Sequence, residues 1–398
     1  MSDLLLLPET IDHIVDAAKW AATGGAALDI RGHGAKQGLG KPVQADAVLD
    51  LSRFSGITLY EPEELVMSAR AGTPMVEIEA ALQDANQMLA FEPWSPEFLY
   101  GQTGGTIGGV LACNCSGPRR MQVGAARDHM LGFHAVGGGG EVFKSGGRVV
   151  KNVTGFDLTK LMAGAMGTLG VLTDVSFKVL PRPEKARTVL LYGAADATAA
   201  LIQAQCSEHE ISACAHLPKA VAARSTVDFV KNAGASVTAV RIEGPAPSVA
   251  VRCAALRELL APLGAGVEEL HTANTETLWA EIRDVRYFGA DKQIWRISVA
   301  PSEGPSIAAD LAVKLGGEYM LDWAGGLIWM AVDPAADAHV NVVRGAFASG
   351  HATLMRALAS VRTQVPVFQP QADALTALSA RVRENYDPAG IFNPGRMA

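Results

Sequence analysis

Apolar positions recur along the chain with two periods, one helical and one alternating. Behind Thr10, an N-cap residue, Ile11, Ile14, Val15 and Ala18 fall on one stripe and Gly24 closes the run, which predicts a helix. Short strands are predicted at 26–32, 47–52, 57–60 and 65–72. Thr73 and Pro74 read as N-cap and first residue of a second helix, with Met75, Ile78 and Leu82 at helical spacing. A strand-like run, 171–180, ends the first half. Beyond the break PRPEK (181–185), RTVLLYG, ISACAHL, VTAVRIEG, QIWRISVA and GLIWMAVD read as strands, separated by Ala-rich helical stretches such as 247–264. That alternation predicts an α+β or α/β unit, a pair of ferredoxin-like halves. A second break, PVFQP (366–370), precedes a final helix at about 371–385 and the turn-rich tail DPAGIFNPGRM.

Composition adds one anomaly. The 398 residues are 49% hydrophobic and 19% charged, ordinary for a folded protein of two to three domains. Of the 41 glycines, however, 18 lie between Gly101 and Gly170 and six between Gly24 and Gly40. Glycine weakens helices and strands, so such clustering marks backbone that turns sharply or approaches something closely. The density falls after 181, which places a domain boundary there. A net charge of -7 without a basic block excludes a nucleic-acid footprint. The start, MSDLLLLPET, lacks the positive region of a signal peptide, and no apolar run reaches the ~18 residues of a membrane span, so a cytoplasmic protein is expected. Cys113, Cys115, Cys206, Cys214 and Cys253 lack the spacing of zinc or iron–sulfur ligands and read as small buried thiols in a reducing compartment. Cys113 and Cys115, two apart, would share a face on a strand.

The familiar nucleotide fingerprints fail. RGHGAKQG has Gln37 where GxGxxG needs its last glycine, and Gly40–Lys41 is followed by Pro42, not by the Ser or Thr of a phosphate loop. What remains is a strand ending in Arg31 and followed by GHGAK, and a second loop, GGTIGG, at 104–109. Side-chain-free loops aim successive N–H groups at one anion. Two of them suit a pyrophosphate; each alone also reads as a tight turn between strands.

The order RGHGAK, LDLSRFSGI, AGTPMVEIEAAL, GGTIGGVLACNCSGPRRMQVGAARDHMLG, VKNVTGFDLTKLMAGAMGTLGVLT resembles the FAD-binding domain of the vanillyl-alcohol-oxidase (PCMH) type. The tail DPAGIFNPGRM is similar to the C-terminal signature of its 2-hydroxy-acid dehydrogenase branch, and length and wording resemble the FAD subunits of bacterial glycolate dehydrogenases. The resemblance implies a two-subdomain FAD-binding domain (1–185), an α/β ferredoxin-like cap domain (186–365) and a C-terminal segment (366–398) returning to the FAD domain. It also implies that Arg31, Gly32, His33, Gly34, Ala35 and Lys36 lie on the FAD pyrophosphate, with Gly105, Thr106, Gly108 and Gly109 as the second phosphate loop. Ala112, Ser116 and Gly117 would run beneath the isoalloxazine, and Gly170, Val171 and Leu172 along the adenosine. Where some members link FAD to a histidine this chain has Ala35, with His33 two residues away, so FAD is expected to be non-covalent.

Catalytic members of the branch resemble one another in a histidine motif, roughly HxGDGNxH, and an EHGxG segment that supply base and metal. This sequence has neither; its nearest approach is SGHATLMRA, with His351 and Arg356. Arg296, on the polar face of QIWRISVA, and Arg283 in EIRDVRYF join Arg356 as candidate carboxylate clamps. Surface arginines, or an ion pair with Asp284 or Glu281, are the structural alternative. The missing motif implies a sister FAD-linked catalytic subunit and, with no cluster cysteines here, an iron–sulfur partner, for a small hydroxy-acid substrate; contact with the membrane would come only through these partners. A self-contained hydroxy-acid dehydrogenase and a non-catalytic flavin-binding subunit remain as alternatives.

Overall fold

The computed structural model describes residues 4–149 and 155–398. Contacts divide the chain into two units, one of Met1–Ser116, Gly124–Arg182 and Pro370–Ala398, the other of Gly117–Val123 and Pro183–Gln369.

The first unit holds two main sheets. Strands β1 (Leu4–Leu6), β2 (Leu28–Arg31) and β3 (Ala47–Asp50) form a parallel sheet in the order β1-β3-β2. The helix Ile11–Gly24 connects β1 to β2 and buries Ile14, Ala17, Ala18 and Ala21. Thr10 caps it, accepting from the His13 amide, and Gly25, one residue past the predicted stop, takes the left-handed conformation that ends it. Strands β4 (Ile57–Glu61), β5 (Val66–Arg70), β7 (Met130–Val136), β8 (Val142–Gly146) and β9 (Val171–Lys178) make an antiparallel sheet in the order β4-β5-β9-β7-β8. The short β6 (Gln87–Met88) and β10 (Leu180–Pro181) pair beside it. The second helix begins at Met75 with Pro74, not Thr73, at the N-cap. Thr73 is occupied elsewhere, its hydroxyl meeting the Gly56 amide and the Arg70 carbonyl, which pins the loop before the helix.

The tail closes this unit. Phe392 bridges to Leu28 in parallel, so 391–393 lengthen the first sheet beside β2. Asp387, 3% exposed, accepts from the amides of Ile391 and Phe392 and so fixes the turn between the last helix, Asp373–Tyr386, and the bridge. Burial pushes its carboxyl above the ordinary range, against the pull of those amides.

The second unit is a doubled fold. Strands β11 (Lys185–Tyr192), β12 (Ala213–Leu217), β13 (Val237–Gly244) and β14 (Gly266–Leu270), with helices Ala197–Gln205 and Ala246–Leu260, form one βαββαβ half. Strands β15 (Gln293–Ser298), β16 (Glu318–Asp322), β17 (Leu327–Val332) and β18 (His351–Arg356), with Gly304–Leu315 and Val340–Arg344, form the other. One antiparallel sheet runs β14-β11-β13-β12-β16-β17-β15-β18, so each half shows the ferredoxin-like order and the two join where β12 meets β16. Of these strands β14, β16 and β18 were not foreseen: they are short, and β14 carries two glutamates. One face of the sheet, including Val189, Val240, Trp295, Ile297, Ile328 and Met330, packs on the helices. On the other, Thr188 accepts from the Trp279 indole at 2.9 Å and Arg241 lies over that ring.

The expected FAD domain, 1–185, is thus interrupted, because Gly117–Val123 packs with the second unit. Arg119 bonds Glu243 at 2.6 Å with both side chains 8% exposed, Arg241 faces the same carboxylate at 3.4 Å, and the Trp323 indole donates to the Gly117 carbonyl at 3.0 Å. A buried guanidinium is tolerated only where such a partner waits, and that partner is on β13.

Replacing Asp387 by Ala leaves two buried amides without their acceptor and is expected to cost about 2–4 kcal/mol. Urea unfolding followed through the first unit measures it; a loss below about 0.5 kcal/mol would show that the tail turn holds without this carboxylate.

Candidate cofactor cleft

β2 delivers Arg31 to the rim of a cleft, open to solvent, in the first unit. Its walls are the two glycine loops. Gly32 lies so close to the second loop that a Cβ there would come 2.4 Å from Thr106 Oγ1. Thr106 is the N-cap of the helix Ile107–Ala112, and its hydroxyl accepts from the Gly109 amide at 3.1 Å. Before it Gly104 and Gly105 take φ of +80° and +123°, open to glycine and strained for other residues. Lys36 is 7% exposed and reaches across: a Cβ on Gly105 would lie 3.1 Å from its Nζ. Gly108 packs against the backbone and Cβ of Ala71, fixing the helix on the end of β5.

Two residues of the tail complete the wall. Asn393 accepts from the Ile30 amide at 2.8 Å and donates to the Met166 carbonyl at 2.7 Å. Arg396, 8% exposed, donates to the Lys36 carbonyl at 3.0 Å and faces Asp29 at 3.8 Å. Arg31 turns its Nε to Asp29 at 2.8 Å, so that part of its charge is already balanced. The cleft therefore offers two buried cations, Lys36 and Arg396, over backbone free of side chains, which fits a bound polyphosphate.

Cys113, at the inner end of the helix, also lines the cleft. It is half-buried, and its thiol is brought down to about 6, first by its hydrogen bond with Cys115 and then by the charges of Lys36 and Arg396, against the upward push of burial. Of the thiols expected to be buried, Cys113 is thus only half-buried and Cys206 is exposed. Nor do Cys113 and Cys115 sit on a strand: Asn114 between them is left-handed, at φ 49°, and ends the helix.

Arg31 through Lys36, Gly105, Thr106, Gly108, Gly109, Ala112, Gly170 and Leu172 all line this one cleft. Three other site candidates have different places. Val171 is fully buried, opposite Val136 in β9. Ser116 accepts from the Ala126 amide at 2.9 Å, and Gly117 belongs to the second unit. Gln37, Cys113, Met166, Gly167, Asn393 and Arg396 line the cleft and were not foreseen in it. Gly167, left-handed at φ 72°, abuts Asn393, yet only the GAMGTLG run and the tail signature hinted at either. Residues 150–154 of the resembling run VKNVTG lie outside the described residues.

Of the catalytic candidates, Arg296 lies on β15, His351 and Arg356 lie on its partner β18, and Arg283 ends the helix Thr272–Arg283. Arg283 binds Asp284, 1% exposed, through two bonds of 2.8 and 2.9 Å, the structural alternative in its purest form. Arg356 donates to the carbonyls of Lys292 and Gly289, bracing the end of β18. His351 is exposed on β18, opposite Ser298. Arg296 stacks over the Trp323 ring at 4.9 Å, and Arg120, unforeseen, over the same ring at 4.4 Å. Trp323 and Ala324 both have positive φ, 52° and 54°, in the turn that presents this indole.

A model of the FAD binding domain matches residues 2–146. The chain is 36% identical over 376 residues to glycolate oxidase subunit GlcE of Escherichia coli (strain K12), across 93% of this chain and 92% of that one. It is 29% identical over 201 residues to glycolate oxidase subunit GlcD of Bacillus subtilis (strain 168), covering 50% of this chain and 42% of that protein. Among solved structures it is similar to p-cresol methylhydroxylase with substrate bound (TM-score 0.72, 16% identity, 99% of this chain and 88% of that one) and to alkyldihydroxyacetonephosphate synthase (0.68, 16%, 99% and 77%). These likenesses establish the PCMH-type fold, and the matched domain makes FAD the cofactor.

Gly108→Ala tests how tightly the cleft wall is built. In a helix the change favours folding by about 1 kcal/mol, but a Cβ 2.6 Å from that of Ala71 reverses the sign, to a net loss of about 1–3 kcal/mol in urea unfolding. A gain would mean that the helix stands off β5.

Proposed function

Since the chain belongs to the family of glycolate oxidase subunit GlcE, we propose that it is the FAD-carrying subunit of a multi-subunit glycolate (2-hydroxy acid) dehydrogenase, oxidising glycolate to glyoxylate and passing electrons to an iron–sulfur partner. It is an FAD-dependent oxidoreductase. The observation that carries the finer reading is the likeness to GlcE over nearly the whole of both chains, joined to a cleft with two buried cations. The sister FAD-linked subunit is inferred from the absence here of the HxGDGNxH motif, and the iron–sulfur partner from cysteines without cluster spacing.

When bound, FAD supplies the hydride acceptor. This chain's residues would hold it: Lys36 and Arg396 would neutralise the pyrophosphate, the amides around Gly105 and Thr106 would donate to its oxygens, and Gly170 and Leu172 would face the adenosine side. Ala35 stands where some members carry the linking histidine and His33 is displaced from it by two residues, so we take the attachment to be non-covalent. Among the described residues no helix is long and apolar enough to cross a membrane; we place the protein in the cytoplasm, reaching the membrane's inner face through its partners.

A second reading has support in one observation. Two guanidinium groups, of Arg120 and Arg296, stack on the Trp323 indole, a setting that keeps such groups oriented for a carboxylate, as a self-contained dehydrogenase of a small hydroxy acid such as D-lactate would need.

Acid precipitation is expected to release all the flavin to the supernatant; yellow colour held in the pellet would refute non-covalent binding. Lys36→Ala is expected to weaken FAD binding about 10–100-fold, read by fluorescence titration of the apoprotein. Anaerobic glycolate should leave the flavin of the isolated chain oxidised and bleach it only in the assembled complex, with less bleaching when this subunit carries Lys36→Ala. Bleaching of the isolated chain by glycolate or D-lactate would establish the second reading instead. Full activity in a complex whose Lys36→Ala subunit has lost its flavin would assign this chain a structural role.

A further inference from the structure

The helix that lines the cleft ends in an arrangement the cofactor does not require. Cys113 is its C-cap residue, Asn114 is left-handed, the Asn114 amide bonds the Leu111 carbonyl at 2.9 Å and the Cys115 amide bonds the Val110 carbonyl at 3.0 Å. These bonds turn the chain back on itself between two cysteines that an extended chain would hold along one face. The two sulfurs differ in access. Cys113 is half-buried and lines the cleft, whereas Cys115 is 1% exposed behind it.

We propose that Cys113 and Cys115 form a dithiol modification site of the FAD-free chain, in which hydrogen peroxide entering the empty cleft oxidises Cys113 and Cys115 resolves the product to a disulfide. The Cys113 thiolate attacks one peroxide oxygen, the O–O bond breaks, and the departing hydroxide takes a proton to become water, leaving a sulfenic acid. The Cys115 sulfur then attacks the Cys113 sulfur, the S–O bond breaks, and the hydroxide leaves as water with the Cys115 proton. In sum the dithiol gives up two electrons and two protons, and one peroxide becomes two waters.

The surroundings select this pair. While FAD is absent, the neighbouring Cys115 and the charges of Lys36 and Arg396, which line the same cleft, hold the Cys113 thiol below its ordinary range and so favour the thiolate that peroxide needs. The two buried cysteines of the second unit have the opposite setting: burial pushes Cys253 up to about 11 and Cys214 higher still. Cys206 is exposed and serves as an internal reference. A disulfide closed over three residues is strained and hence easily reduced, the property of a reversible site and not of a structural staple.

The test treats the full-length protein, stripped of FAD, with hydrogen peroxide at neutral pH and follows peptide masses and free thiols. The peptide holding both cysteines is expected to lose two hydrogens, two thiols should disappear together, and dithiothreitol should restore them. The reaction should run about ten-fold faster than oxidation of Cys206. Cys115→Ser should stop at a Cys113 sulfenic acid trapped by a cyclic 1,3-dione, and Cys113→Ser should abolish the modification at Cys115. Oxidation of Cys206 before Cys113, or a sulfinic acid at Cys113 with the Cys115 thiol intact in the unsubstituted protein, would overturn the proposal. Those readouts need only the unsubstituted chain, so a variant that fails to fold leaves them standing.

Discussion

Everything in the first unit follows from the need to bring two backbones into contact at Gly32 and Thr106. With only 2.4 Å between a hypothetical Cβ and the Thr106 hydroxyl, no larger residue fits at position 32 without moving one loop. That approach sets the end of β2 against the start of the helix Ile107–Ala112, and the helix in turn is seated on Ala71 at the end of β5. The parallel and antiparallel sheets are thereby joined along the cleft. Lys36 can then cross over Gly105, and its ammonium stands above the stretch that has no side chains to screen it.

The tail answers the electrostatic problem this creates. Asp29 sits 6% exposed beneath the cleft, facing Arg31 and Arg396, so the acid orients two cations that would otherwise repel. Asn393 satisfies the Ile30 amide and the Met166 carbonyl at once, holding the first sheet and the 163–170 loop in register. A segment at the very end of the chain thus completes a site begun near its start.

In the second unit polar groups serve a different end. Glu281 accepts from Ser225, Thr226 and the Tyr287 hydroxyl, and Asp284 is held by Arg283 and Arg286, so these buried acids are bound in structural networks. Arg283 and Arg356 belong to that framework. Arg120 and Arg296 are set instead on the face of an indole, where a guanidinium keeps its N–H edge oriented at little cost in hydration. A family of oxidase subunits and a doubled ferredoxin-like sheet without the histidine motif are consistent with a division of chemical labour among chains.

Local order was legible in the sequence wherever one residue type had one physical reason to be there. Thr10 and the left-handed glycine after Gly24 bounded the first helix, alternation marked β9, β13, β15 and β17, and the glycine clusters pointed to backbone close to a ligand. The failure of the Rossmann and phosphate-loop patterns, with the order of the loops, was enough to indicate a pyrophosphate. β14 and β16, whose runs GVEEL and EYMLD do not alternate, left no such mark. Nor could spacing show that Asn393 and Arg396 reach the loop after β2, or that Arg119 finds Glu243, since these contacts join residues far apart in the chain. Whether an arginine is a clamp or a brace was likewise undecided by sequence, because the charge is the same; the partner alone distinguishes them. Composition determined that backbone must come close to something; the tertiary structure decided which charges stand over it, because charge pairing acts through space and not along the chain.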